Sequence, residues 1–160
     1  MLKWIWLSVL IVALDLATKN MASTMLDYGV SVPVLPVFKL TLLHNPGAAF
    51  SFLADQSGWQ RWFFAILAVV VSGILIRWLA TLKNDTWLAI ALALVLGGAL
   101  GNLYDRVVLG YVVDFLHFHW QEYHFPAFNI ADSAITVGAV IMVLDMFRKP
   151  HPDAETDHGK

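Results

Sequence analysis

The sequence predicts a membrane all-α protein: a four-transmembrane-helix bundle with a small extracytoplasmic sheet and a short interfacial helix. Three observations carry this. Of the 160 residues, 59% are hydrophobic and only 14% are charged, against about 45–50% and about 25% in a soluble domain. The apolar residues gather in four runs, each near the roughly 20 helical residues that a hydrocarbon core about 30 Å thick requires. Between the first two runs lies a β-branched, proline-bearing stretch with strand character. The mean hydropathy of +0.67 agrees. Together these exclude a disordered chain, a nucleic-acid-binding tail and an ordinary cytosolic enzyme. A net charge of −2 steers no partner, and the absence of cysteine removes disulfides, thiolate nucleophiles and cysteine metal sites.

The first run spans about 4–20; it is apolar to Leu14 and then meets Asp15 and Lys19. Lys3 followed by an apolar stretch resembles a signal-peptide opening, but no small-x-small cleavage site follows, so a retained span is expected. The second run, 62–80, holds a single charge at Arg77 and covers about 28 Å at ~1.5 Å per residue. The third, 87–103, is uncharged, and Lys83, Asn84 and Asp85 make the tight turn before it. The fourth, 130–147, carries Asp132 near its start and Asp145 near its end, where Arg148 at i+3 offers an ion pair. Residues 30–43 read as strands demoted to edges by Pro33 and Pro36. A short interfacial helix is expected near 57–61. Residues 1–149 form one integral membrane domain, and 150–160 a polar cytoplasmic tail.

Four spans put both termini on one side. Lys3, Arg77, Lys83, Arg148 and Lys149 fall with the termini and the short turn, so the positive-inside rule modestly favours cytoplasmic termini. Trp4, Trp6, Trp59, Trp62, Trp78, Trp87 and Trp120 lie near span ends, where interfacial aromatic belts belong.

Ionisable groups at membrane depth are expensive and point to function. Asp15, Lys19, Asp105, Arg106, Asp114, Asp132 and Asp145 are such groups. Asp132 also reads as a helix N-terminal acid behind an Asn129 cap, whereas Asp114, inside Val112-Val113-Asp114-Phe115-Leu116, is harder to excuse. Two convergent carboxylates sharing one proton suit amide hydrolysis: the ionised one activates water and the protonated one donates to the scissile carbonyl. The helix N-terminus favours Asp132 as the more acidic member. His117 and His119 at i, i+2, and His44, lack a third ligand at a metal-binding spacing. No Gly-x-Ser-x-Gly or Ser-x-x-Lys pattern is present. Gly97 and Gly101 form a small-xxx-small packing face that sets Asn102 and Arg106 into the bundle mouth.

Five blocks, in order, resemble the bacterial lipoprotein signal peptidase (signal peptidase II) family. They are Asp15-Leu16-Ala17-Thr18-Lys19, Asn45-Pro46-Gly47-Ala48-Ala49-Phe50-Ser51, Gly97 through Arg106, Gly110-Tyr111-Val112-Val113-Asp114-Phe115, and Phe128-Asn129-Ile130-Ala131-Asp132. The resemblance implies an intramembrane aspartyl peptidase with an extracytoplasmic β-cradle. Such an enzyme cuts prolipoproteins just before a diacylglyceryl-modified cysteine. Carried over by motif, Asp114 and Asp132 are the catalytic dyad. Asn45, Gly47, Asn102, Arg106, Asn129 and Ala131 line the site, and Asp15 and Lys19 support it. For the last two, an i, i+4 ion pair with Lys19 snorkelling outward stays open. The expected partners are the lipidated substrate and membrane lipid, with no nucleic acid, no cofactor and a monomeric enzyme. The rival reading is a small proton-coupled transporter, which also uses intramembrane carboxylates, although no inverted repeat supports it. A non-enzymatic assembly subunit explains Gly97 and Gly101 but not the two acids.

Overall fold

The computed structural model describes residues 1–47 and 58–148. The Ala48-to-Ser51 part of the second block and the 150–160 tail therefore lie outside the described residues. A short 3-10 turn, Leu2–Trp4, leads into α1 (Ile5–Met25). This helix runs past the expected end near residue 20. Asp15 and Lys19 look like a terminus by polarity, yet they share a buried face with Ser8 and Ala22 at helical spacing. Lys19 is buried and does not snorkel.

Helix α2 (Trp59–Thr81) opens behind Gly58 in the left-handed region. Residues 59–61, where a separate interfacial helix is expected, are its first turn instead; Ser57 lies outside the described residues. Asp85 caps α3 (Thr86–Val108) by accepting from Leu88 N at 3.1 Å. Asp105 and Arg106, beyond the expected end of the third run at 103, belong to the last turn of α3. The helix stops at Gly110, whose φ of +92° and bond from its N–H to Asp105 O make the turn that a bulkier residue resists. Asn129 caps α4 (Ile130–Arg148), accepting from Asp132 N at 2.9 Å.

Helix α3 is the hub, the most buried of the four, packed by α1, α2 and α4. Its glycines permit this. A Cβ on Gly101 would stand 2.6 Å from Asp15 Oδ2, and one on Gly98 would strike the carbonyl of Ala131. Thus α1 and α4 approach the α3 backbone from different sides. All four helices are long and apolar enough to cross a membrane.

Among the described residues one antiparallel sheet runs in the order β1 (Ser31–Leu35), β2 (Phe38–Asn45), β3 (Val112–Trp120), β4 (Tyr123–His124). The prolines explain its edges. Pro33 sits on β1, which is an edge, and Pro36 in the turn after it. Strand β2, expected to share that edge character, is interior, because no proline blocks its ladder to β3. In that ladder Leu43 faces Asp114 and Asn45 faces Val112.

The two ends of the bundle differ. The Met1 amino group donates to Leu82 O at 3.4 Å, and Arg148 lies 3.8 Å from Asp85 and 2.8 Å from Asp145. This joins both ends of the described helical chain to the α2–α3 turn. An apolar cluster of Leu75, Leu79, Leu88, Ala89, Leu92 and Leu96 fills that half. At the other end, the sheet sits on a smaller cluster of Ala22, Leu42, Val113 and Phe115.

Candidate active site

Asp114 is positioned by β3 and buried, with its side chain on the opposite strand face from core residue Phe115. Asp132 lies in the first turn of α4, half-buried. The chain before α4 docks along β3. Phe115 N and Leu116 N both donate to Phe128 O at 3.0 and 2.9 Å, and Phe128 N returns a bond to Leu116 O at 3.0 Å. This docking places Asn129 beside Asp114 and the α4 N-terminus beside both.

Three asparagines hold the carboxylates, and each has its amide oxygen occupied by a donor. Asn129 takes Asp132 N on its oxygen and donates Nδ2 to Asp114 Oδ1 at 2.8 Å. Asn45 takes Gly47 N at 2.9 Å and donates to Asp114 Oδ2 at 3.1 Å. Asn102 takes Lys19 Nζ at 3.0 Å and Asn129 Nδ2 at 3.2 Å, and donates to Asp132 Oδ1 at 2.7 Å. With each oxygen engaged, every amide must turn its N–H groups to a carboxylate. Gly47, at φ +103°, allows the turn that brings its N–H back to Asn45, and a Cβ there would meet the Phe64 ring at 3.0 Å.

Burial, and next the charge of Asp132, push the Asp114 carboxyl up to about 7. The Asn45 and Asn129 hydrogen bonds and the Lys19 charge pull the other way and do not win. The two acids are therefore coupled. The Arg106 guanidinium is a positive charge facing Asp132, Asp114 and Asp105. Its Nη1 donates to Asn102 O at 3.1 Å and its guanidinium lies 5.3 Å from the centre of the Phe64 ring.

Behind the asparagines sits a buried charge cluster. Lys19 Nζ is 2.7 Å from Asp15 Oδ2 and 2.9 Å from Asp105 Oδ2, all three side chains being almost solvent-free. Asp15 Oδ1 accepts from Ala131 N at 2.9 Å, and Asp105 Oδ2 from Val113 N at 3.1 Å. Each acid thus holds the backbone N–H one residue before a member of the pair. Every expected site residue converges here: Asp15, Lys19, Asn45, Gly47, Asn102, Arg106, Asp114, Asn129, Ala131 and Asp132.

Two residues escape sequence reasoning. Asp105 is in the polar set but is not assigned to the site; its signal is the i, i+3 spacing from Asn102 on the same helix face. Arg61 bonds the last carbonyls of α3, Arg106 O at 2.6 Å and Val107 O at 2.8 Å. The histidines lie elsewhere. His117 Nδ1 is 3.2 Å from Thr41 Oγ1, and His44 stacks on Tyr111 at 4.0 Å. Among the described residues no three His, Asp or Glu side chains are gathered to hold a metal ion.

Comparison with known proteins agrees with this geometry. Residues 7–148 match the family model for signal peptidase (SPase) II. A lipoprotein signal peptidase of Pseudomonas putida KT2440 is 62% identical over 152 residues, covering 92% of this chain and 88% of its own. One from Pseudomonas paraeruginosa PA7 is 60% identical over 161 residues, covering 99% and 95%. Among solved structures, a bacterial membrane enzyme determined by the in meso method at 2.3 Å superposes with a TM-score of 0.81 at 31% identity, covering 99% of this chain and 96% of that one. The transporter reading falls with these matches. The chain belongs to the signal peptidase II family, aspartic peptidases of the bacterial inner membrane.

Proposed function

We propose that this chain is an intramembrane aspartyl endopeptidase that cuts diacylglyceryl-modified prolipoproteins just before the lipidated cysteine, with Asp114 and Asp132 as its dyad. The observation that carries this is the pair itself: two coupled carboxyls on different elements, each held by asparagine N–H groups at the sheet end of a four-helix bundle.

The chemistry follows from the two environments. Asp132 sits where the α4 N-terminal dipole and Arg106 favour a negative charge, so it is the ionised member and takes a proton from the attacking water. Asp114, raised by burial, carries the shared proton and donates it to the scissile carbonyl oxygen as the water oxygen bonds to carbon. The tetrahedral intermediate then collapses: the C–N bond breaks, the proton held by Asp132 passes to the leaving nitrogen, and one hydroxyl of the intermediate returns its proton to Asp114, restoring the starting pair. Asn45, Asn102, Asn129 and Ala131 keep the carboxyls in register, and Arg106 orients the substrate backbone. Gly47, with no side chain, lets an extended stretch of substrate approach the end of β2.

A signal peptide is an apolar helix and reaches the site through the bilayer, where its lipid chains stay. The scissile bond must leave the helix, since helical amides are already hydrogen-bonded. Lys83 in the short turn and Lys3 and Arg148 near it favour a cytoplasmic location for that end by the positive-inside rule. The sheet and the dyad then face the outer interface, where water is at hand. Residues 1–149 act as one peptidase domain, and a monomer suffices.

Purified protein in detergent, given a diacylglyceryl-modified preprolipoprotein, tests this. Asp114→Asn and Asp132→Asn should each lower cleavage by about 10³-fold or more while the protein still inserts. Cleavage near the unmutated rate by either variant would falsify the dyad. A chelator should leave the rate unchanged; loss reversed by added metal would count against it equally.

A further inference from the structure

The dyad reading leaves Lys19 without a step, although it is a nearly solvent-free cation next to the site. Its surroundings are specific. An ammonium has three protons to give, and three acceptors surround this one: Asp15 Oδ2, Asp105 Oδ2 and Asn102 Oδ1. The first two balance its charge. The third does something a charge pair alone does not. An amide side chain has an oxygen end and a nitrogen end, and the local donors decide which way it points. The end of Asn102 near Lys19 meets two donors, the ammonium and Asn129 Nδ2. That end is therefore oxygen, and the N–H end is turned to Asp132 Oδ1 at 2.7 Å.

Resting on the dyad reading above, we infer that Lys19 is a positioning residue of the reaction that acts through Asn102. By occupying that amide's oxygen it aims the amide N–H at Asp132 and keeps this carboxylate an acceptor, ready to take the proton from water. If the amide were reversed, its oxygen would face Asp132 Oδ1, and only a protonated Asp132 would fit. The lysine thus selects which member of the pair carries the proton, without touching either. The other charges facing Asp132 do not duplicate this role. Arg106 acts on Asp132 and Asp114 alike as a charge, Asp105 and Asp15 are engaged by Lys19 and by backbone N–H groups, Asn45 serves Asp114, and Asn129 gives Asp114 its shorter bond, 2.8 Å, and the Asn102 oxygen only a 3.2 Å one beside the 3.0 Å bond from the Lys19 ammonium. The same lysine, through its two acids, also fixes the backbone beside both members, Ala131 next to Asp132 and Val113 next to Asp114. A lysine that only stabilised the fold would need no bond to Asn102.

A double-mutant cycle separates the two roles. Removing Lys19 alone would leave two buried carboxylates unpaired, so the cycle is run in an Asp15→Asn, Asp105→Asn background, where the amide oxygens still accept from Ala131 and Val113. In that background Lys19→Met should lower kcat about tenfold or more, with KM within about twofold. When Asn102→Ala is also present, the same Lys19→Met step should change kcat by less than about twofold, because the group it acts through is gone. An equal loss with and without Asn102, or no loss with it, overturns the inference. A second measurement needs no change in the cluster. Difference infrared spectra of the unmutated protein against each aspartate variant at neutral pH should show Asp132→Asn removing a carboxylate band and Asp114→Asn removing a protonated carboxyl band. The reverse assignment overturns it. Efficient cleavage by Asp132→Asn is a separate result, and it would defeat the dyad reading instead.

Discussion

The two ends of the bundle hold together by opposite means. Toward the termini, α2 and α3 pack through leucine and alanine, and among the described residues the ion pairs of that end, Arg148 with Asp145 and Asp85, involve none of that cluster. Toward the sheet, α1, α3, α4, β2 and β3 meet through Lys19, four aspartates and three asparagines, most of them buried. Lipid is as apolar as leucine, so packing at the first end gains from shape and not from leaving water. The sheet end must keep charged groups in fixed positions at membrane depth, which costs stability unless every one is paired. On the proposed function the difference separates two tasks: one half sets the bundle, the other sets proton positions.

Substitutions that touch only one end sharpen this contrast. Asn129→Ala should do the most damage of those outside the dyad. It removes the α4 cap, worth about 1 kcal/mol, together with a hydrogen bond to Asp114 and one to Asn102. Cleavage should fall about a hundredfold, measured at saturating substrate. Gly101→Ala pushes a methyl into Asp15 Oδ2 and should cost about 1–3 kcal/mol. Both thermal stability and cleavage should drop, because the strain lands on the charge cluster. A variant that loses stability but keeps its rate would mean that the cluster does not position the site. Leu92→Ala, fully buried in the other half, should cost about 2–5 kcal/mol through the cavity it leaves. Its folded fraction should cleave at the unmutated rate, read as kcat corrected for folded protein. A matching fall in kcat would break the division between the ends.

Much of this was legible in the residues. Four apolar runs give four helices, and the Asn129–Asp132 pattern gives the cap of α4. The site also converges as its blocks suggest. What hydropathy could not reveal is where polar residues continue a helix. Asp15 and Lys19, and Asp105 and Arg106, each look like the end of a span, yet each lies inside a helix: Lys19 pairs with Asp15 on α1 and with Asp105 on α3, and Arg106 lies over the Phe64 ring of α2. Composition reads a charge as a boundary; only packing tells a paired charge from a solvated one. Asp105 escaped assignment for the same reason, since its partners Lys19 and Val113 lie on α1 and β3. The sheet was partly readable: Pro33 does mark an edge, but β2 became interior by pairing with β3, a strand far along the chain.

The pH dependence of kcat/KM tests the shared proton most directly, since it reports groups in the free enzyme. With the Asp114 carboxyl raised to about 7, the competent form holds one proton on the pair. Cleavage should therefore decline as pH rises through about 7 and Asp114 ionises. A profile with its alkaline limb near neutrality is the expected result. A rate that stays level or climbs from neutral pH to strongly alkaline pH would contradict a protonated Asp114, and with it the division of roles between the two aspartates.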